Sequence, residues 1–126
     1  MKVDQAIKIQ EGKTIQIITG EQAMDLLFST NFTSRWDLLY DQCPWATVFQ
    51  KREFVSSWYQ SYKGMYLPIL VRETTAGKLT GLLTLAKSKK EGITGAGANQ
   101  AEYQVWLAES SNSTEFIQSA LSQLRS

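Results

Sequence analysis

The sequence predicts an α+β domain built from a mainly antiparallel sheet flanked by helices. Three features carry this reading. Apolar residues recur at helical spacing in segments ahead of Gly64. Two β-rich arms then flank Thr75-Ala76-Gly77-Lys78, a turn that joins antiparallel neighbours. A last amphipathic stretch follows Asn112, and its composition is that of a capped helix.

Taken in order, residues 1–13 are polar and read as a loose tail, so the folded unit is expected to span residues 14–125. Thr14-Ile15-Gln16-Ile17-Ile18 is a short β-branched strand. Thr19 and Gln22 have the spacing of a capping box, which predicts a short helix with Ala23, Met24, Leu27 and Phe28 inward. A second helix is expected over Ser34 to Gln42, with Trp36, Leu39 and Tyr40 inward, ending where Pro44 disfavours helical geometry at Cys43. A third covers Lys51 to Tyr62, with Phe54, Val55, Trp58, Tyr59 and Tyr62 on one face and Gly64 as its stop.

The strand region begins at Tyr66. Pro68 lies inside the first strand, Tyr66 to Arg72, and argues for an edge position or an early bulge. The second hairpin arm is Leu79 to Lys87, broken by Gly81. Gly92-Ile93-Thr94-Gly95-Ala96-Gly97 reads as a bulged or irregular connection, and Tyr103 to Leu107 as a further alternating strand. Asn112 and Glu115 form a second capping box, opening a helix to Leu124 with Phe116, Ile117, Ala120, Leu121 and Leu124 on one face.

At 126 residues the chain is expected to be one domain with a core of its own. A net charge of +1 argues against a domain-wide field for nucleic acid or an anionic membrane. No apolar run approaches the roughly 18 residues of a membrane span, and Met1-Lys2-Val3-Asp4-Gln5 is too polar to open a signal peptide. The single cysteine, Cys43, leaves no internal disulfide and fits a reducing, cytoplasmic location.

The chemical inventory is short. Without histidine there is no Ser-His or Cys-His pair and no ordinary zinc site, so no catalytic, cofactor-binding or metal-ligating residue is assigned. Cys43 precedes a proline at a helix end, where the dipole disfavours a thiolate, and is read as a buried structural residue. The Gly92–Gly97 run has neither the dinucleotide fingerprint nor a Walker loop's Gly-Lys-Ser/Thr. Lys87, Lys89 and Lys90, with Arg72 and Lys78, are read as a solvated strand edge. Trp45 is the aromatic residue expected to show a partly exposed ring.

Three segments carry a resemblance: Trp36-Asp37-Leu38-Leu39-Tyr40, then Pro44-Trp45-Ala46-Thr47-Val48-Phe49-Gln50, then Phe54-Val55-Ser56-Ser57-Trp58-Tyr59. Together with Leu79-Thr80-Gly81-Leu82-Leu83, the Gly-rich turn and Glu102-Tyr103, they resemble the opening of CelD-like proteins. These are FemAB-related, GNAT-type acyltransferases, many linked to cellulose or exopolysaccharide biosynthesis. Where the family pattern has Asp-Tyr, this chain has Glu102-Tyr103.

The resemblance implies a non-catalytic, GNAT-like amino-terminal half, partnered by a carboxy-terminal half that holds acetyl-CoA or another acyl-CoA. It places Gly95, Gly97, Glu102 and Tyr103 beside an acceptor cleft, against the plainer reading of Glu102 as a solvated strand start and Tyr103 as core. The loop that would meet cofactor phosphates is Glu109 to Thr114, which has no glycine and whose Asn and Ser side chains can cap the helix themselves. No cofactor is therefore expected on this chain. A half of this kind would expose a sheet edge, open to self-association, or an apolar face. The alternative is a free-standing small-molecule or protein-binding module with a closed surface.

Overall fold

The computed structural model describes residues 7–10, 12–98 and 105–125. The elements run β1 (Ile7–Gln10), β2 (Lys13–Thr19), α1 (Gly20–Leu27), α2 (Thr30–Gln42), α3 (Arg52–Ser61), β3 (Leu67–Thr75), β4 (Lys78–Ser88), β5 (Gly92–Gly95), β6 (Leu107–Ala108) and α4 (Ser113–Arg125). The fold is α+β, and every strand pairing is antiparallel. The sheet order is β1-β2-β3-β4-β5, with β6 also on β4. β5 and β6 take successive stretches of the same edge of β4: β5 pairs Leu85 to Ser88, and β6 pairs Gly81 and Leu82.

Period-2 alternation sends the strands' side chains to two different covers. On one face Ile18, Leu70, Leu82 and Ala86 are buried against Ala23, Leu27, Phe32, Trp36, Leu39 and Trp58 of α1–α3. On the other, Ile15, Ile69 and Val71 meet Phe116 and Ala120 of α4. Among the described residues α4 is the main cover of that second face, with Trp45 and Trp106 packed beside it, and Ile17, Leu83 and Leu85 stay half-buried.

The residues of the quoted motifs hold the helical layer in place. Trp36 Nε1 donates to the Gln50 carbonyl at 3.0 Å. A 3-10 turn, Val48–Gln50, is closed by a reciprocal box: Phe49 N donates to Thr47 Oγ1 and Thr47 N to Gln50 Oε1. Arg52 on α3 pairs with Asp37 on α2 at 2.9 Å.

The β3–β4 hairpin has the expected two-residue turn. Ala76 and Gly77 both take positive φ, 51° and 81°, the geometry whose twist matches that of the strands. A bulge follows, since Glu73 faces Gly81 but Thr74 faces Leu79, leaving Thr80 as the extra residue. The bulge turns Thr80 Oγ1 onto Glu73 Oε1 at 2.7 Å. Gly81 then lies directly under the buried ring of Phe116.

Several expectations are corrected. The tail is not loose throughout: Ile7–Gln10 pairs with β2 as β1, because the Ile-Lys-Ile-Gln alternation completes an edge. Thr19 stands at the N-cap of α1, yet its hydroxyl makes no cap bond and is buried without a partner among the described residues. It is still the last residue of β2, paired with Ile69, so the strand sets its side-chain direction. α2 begins four residues earlier than expected, capped by Ser29, and buries Phe32 as well as Trp36 and Leu39. Phe28 is 72% exposed and Leu121 46%, so neither faces the core.

Pro68 does not mark an edge strand, because β3 runs between β2 and β4. It sits one residue past the last β2 pair, Thr19↔Ile69, where no donor is required of it. Most of the Gly-rich segment is a regular strand, Gly92–Gly95. The strand expected at Tyr103 to Leu107 is seen only as Leu107–Ala108, and its first two residues lie outside the described ones.

Asn112 does not cap α4. Its Oδ1 accepts from Lys13 Nζ at 2.8 Å, and its Nδ2 donates to Glu73 Oε1. Lys13 Nζ lies 4.0 Å from Glu73 and 4.0 Å from Glu115. The Glu73 side chain is fully buried and its Oε2 has no partner among the described residues. This cluster ties β2, β3, the bulge of β4 and the entry to α4 at one point.

Candidate functional site

α3 ends at Tyr62, and Gly64, at φ 94°, turns the chain sharply so that Lys63 bridges to Tyr66. This turn stands beside the start of α1 and the end of β4. Between the three lies a cleft of about 470 Å³. Its apolar surfaces come from Met24 on α1, Tyr59 on α3, Met65 in the turn, and Leu67 and Pro68 opening β3. Lys63, Lys87 and Lys89 supply positive charge, and Glu21 is the only acidic group of the lining among the described residues.

The walls are rigid. Tyr59 donates from its hydroxyl to the Leu85 carbonyl at 2.7 Å, and burial pushes its pKa well above the ordinary phenol value. Trp58, Tyr62 and Tyr66 pack ring on ring, with centroids 5.1 Å and 4.9 Å from Trp58. Tyr66 donates to the Glu91 carboxylate, and that hydrogen bond, with some burial, holds its pKa up. Met65, by contrast, is 66% exposed, a flexible thioether at the mouth.

Among the described residues of the lining, the side-chain hydroxyls are held in structural hydrogen bonds: Tyr59 to the Leu85 carbonyl and Tyr66 to the Glu91 carboxylate. Ser88 Oγ accepts the Glu91 amide at 3.0 Å and closes the β4–β5 turn. Among the described residues Lys63, Lys87 and Lys89 form no ion pair. The cleft therefore offers apolar contact plus positive charge, which is the chemistry of binding.

The acceptor-cleft residues expected from the sequence are only partly brought together. Gly95 ends β5 and lines a recess of about 160 Å³ with Phe49, Leu83, Val105 and Trp106. That recess lies where β5 has ended on β4 and β6 has not begun. Gly97 is buried beyond β5 at φ 98° and does not line it. Glu102 and Tyr103 lie outside the described residues.

Other candidates are already engaged. Trp45 is half-buried, and its Nε1 donates to the Trp106 carbonyl at 2.6 Å. Cys43 is buried. Glu109 pairs with Lys78 at 3.0 Å, and Asn112 is committed to Lys13 and Glu73. Lys78, Lys87, Lys89 and Lys90 are exposed, as the solvated reading has it, and Lys87 and Lys89 also rim the 470 Å³ cleft, whereas Arg72 lies half-buried on the inner strand β3 and not at an edge. Among the described residues no group of three metal-ligating side chains comes together, and no helix is long and apolar enough to cross a membrane.

No family model, curated protein or solved structure matches the chain.

Proposed function

We propose that this chain is a non-catalytic binding domain, the GNAT-like amino-terminal half of a CelD-like acyltransferase. In that setting it lines the acceptor side in polysaccharide or cell-envelope biosynthesis, while the second half of the parent carries the acyl-CoA. One observation carries the binding role: a 470 Å³ apolar cleft rimmed by lysines that form no ion pair among the described residues. The parentage rests on the Trp36, Pro44–Gln50 and Trp58 segments. Partly covered Leu83 and Leu85 and the outer edge of β5, with exposed Ile93, fit a domain that another half covers. A cytoplasmic location accords with the single buried thiol.

An apolar floor under positive charge selects an amphiphile with an anionic group. The test is calorimetric titration of dodecanoate, below its micelle concentration, against dodecyl-trimethylammonium. The wild type should bind dodecanoate with a dissociation constant of about 10 μM, near −7 kcal/mol. Lys87→Glu and Met65→Asp should each weaken it by about tenfold or more. Equal affinity for both amphiphiles, or none for either, would exclude the reading.

A further inference from the structure

At the opposite end of α1, the start of α2 and the β3–β4 hairpin enclose a second cleft, of about 340 Å³. Its polar lining is Ser29, Asn31, Arg35, Arg72 and Thr74, with no carboxylate among the described residues of its walls.

Arg72 is the unusual member. It is half-buried, and burial lowers its pKa from the ordinary guanidinium value. Its Nε and Nη2 both donate to Gln16 Oε1, at 3.0 and 2.7 Å, and its guanidinium lies 5.8 Å from the Phe32 ring. These contacts fix the plane of the group but cannot neutralise it, since both partners are uncharged. Nη1 makes no hydrogen bond among the described residues. Arg35, at the rim, donates from Nε to Asn31 Oδ1 at 2.7 Å, leaving its terminal nitrogens and the Asn31 Nδ2 without acceptors among the described residues.

Elsewhere the chain gives cations of quite different exposure an acid. Arg52 has Asp37 at 2.9 Å, exposed Lys78 has Glu109 at 3.0 Å, and buried Lys13 has Glu73 at 4.0 Å. At Arg72 none is present among the described residues. A partly desolvated charge without a counter-ion is costly, and a planar fork with open N–H groups matches an oxyanion.

We propose that this cleft binds a small oxyanion group, the phosphate or carboxylate of a ligand. Arg72 is its fixed anchor, and Arg35 with Asn31 supplies further donors. The site is separate from the lysine-rimmed cleft, so it stands or falls independently of that reading.

The experiment is an NMR titration of the isotope-labelled chain with inorganic phosphate and, in parallel, sodium acetate, against sodium chloride at matched ionic strength. Saturable shifts should concentrate at Ser29 to Arg35 and at the Arg72 Nε resonance, with dissociation constants in about the millimolar range. Arg35→Gln, at a surface position, should weaken the anion by about tenfold. Arg72→Lys keeps the charge but loses the fork, and should weaken it by at least as much. Tighter binding of phosphate assigns a phosphate-bearing ligand, and acetate binding as tight or tighter assigns a carboxylate. Shifts no larger than chloride produces, or both variants titrating like the wild type in spectra that show a folded chain, overturn the site.

Discussion

Gly81→Ala is the sharpest probe of how α4 is seated. A Cβ at that position would stand 2.4 Å from Phe116 Cδ1, 2.6 Å from Cγ and 2.8 Å from Cε1. Carbon pairs favour roughly 3.5–4.0 Å, so the ring must retreat by about 1 Å. Phe116 is fully buried and has no solvent to swing into, so the retreat falls on α4 itself. Overpacking of this kind costs about 1–3 kcal/mol. Replacing glycine in a strand returns about 0.5–1 kcal/mol through the unfolded chain. The expected net loss is about 1–2 kcal/mol, or a melting temperature lower by about 4–8 °C for a domain of this size. Thermal and urea unfolding followed by circular dichroism measure it. Phe116→Leu should relieve the clash, so the double variant should lose less than the sum of the single variants. An unchanged or raised melting temperature for Gly81→Ala, with additive behaviour in the double variant, would refute the close approach.

Trp58→Ala should cost about 3–5 kcal/mol, because Trp58 is buried among Tyr59, Tyr62 and Tyr66, and a near-wild-type urea midpoint would contradict that. Glu73→Gln leaves Lys13 buried beside a neutral group and should cost about 3–5 kcal/mol, while Lys13→Met with Glu73→Leu should recover most of it. A double-variant loss as large as the summed losses of Lys13→Met and Glu73→Leu alone would mean the pair is not coupled. Tyr59 keeps its proton in the fold, whereas the unfolded phenol ionises near the ordinary tyrosine value of 10.0. Its contribution to stability is therefore complete below that pH and declines as pH rises above it. Phenolate absorbance should show one tyrosine titrating only with alkaline unfolding, and that step should vanish in Tyr59→Phe. Calorimetry with acetyl-CoA should give no binding to this chain, and a micromolar dissociation constant would reverse the assignment of the cofactor to the other half.

The helices were legible because burial on one face leaves a periodic trace: Trp36 and Leu39, or Val55, Trp58 and Tyr59, fall inward as their spacing requires. The hairpin was legible because Ala76-Gly77 carries its own backbone preference. What failed was chemistry that depends on partners far along the chain. Asn112 has the sequence signature of a cap, yet the same amide serves better between Lys13 and Glu73, which no local window contains. Pro68 signalled an edge, but β2 stopping at Thr19 was not readable from Pro68's own neighbourhood. The candidate cleft was missed for a like reason. Its walls come from residues 20–24, 59–68 and 87–89, none of which forms a motif. The exposed Met65 directly after Gly64 was the one local hint.

The bond between Lys13 and Asn112 spans 99 residues and joins the second strand to the threshold of the last helix. During synthesis β2, β3 and β4 emerge long before Asn112, and until it arrives Glu73 and Lys13 lack the group that links them. At about 5–20 residues per second, the gap between Gly81 and Asn112 leaves the hairpin waiting seconds for its cover. In that interval the α4 face of the sheet, with Ile15, Ile69 and Val71, is open to water and to neighbouring chains. Closure of this face therefore waits for the last helix. A chain stalled before residue 112 carries an apolar face and an unfinished polar lock, the condition under which a nascent protein depends on chaperones.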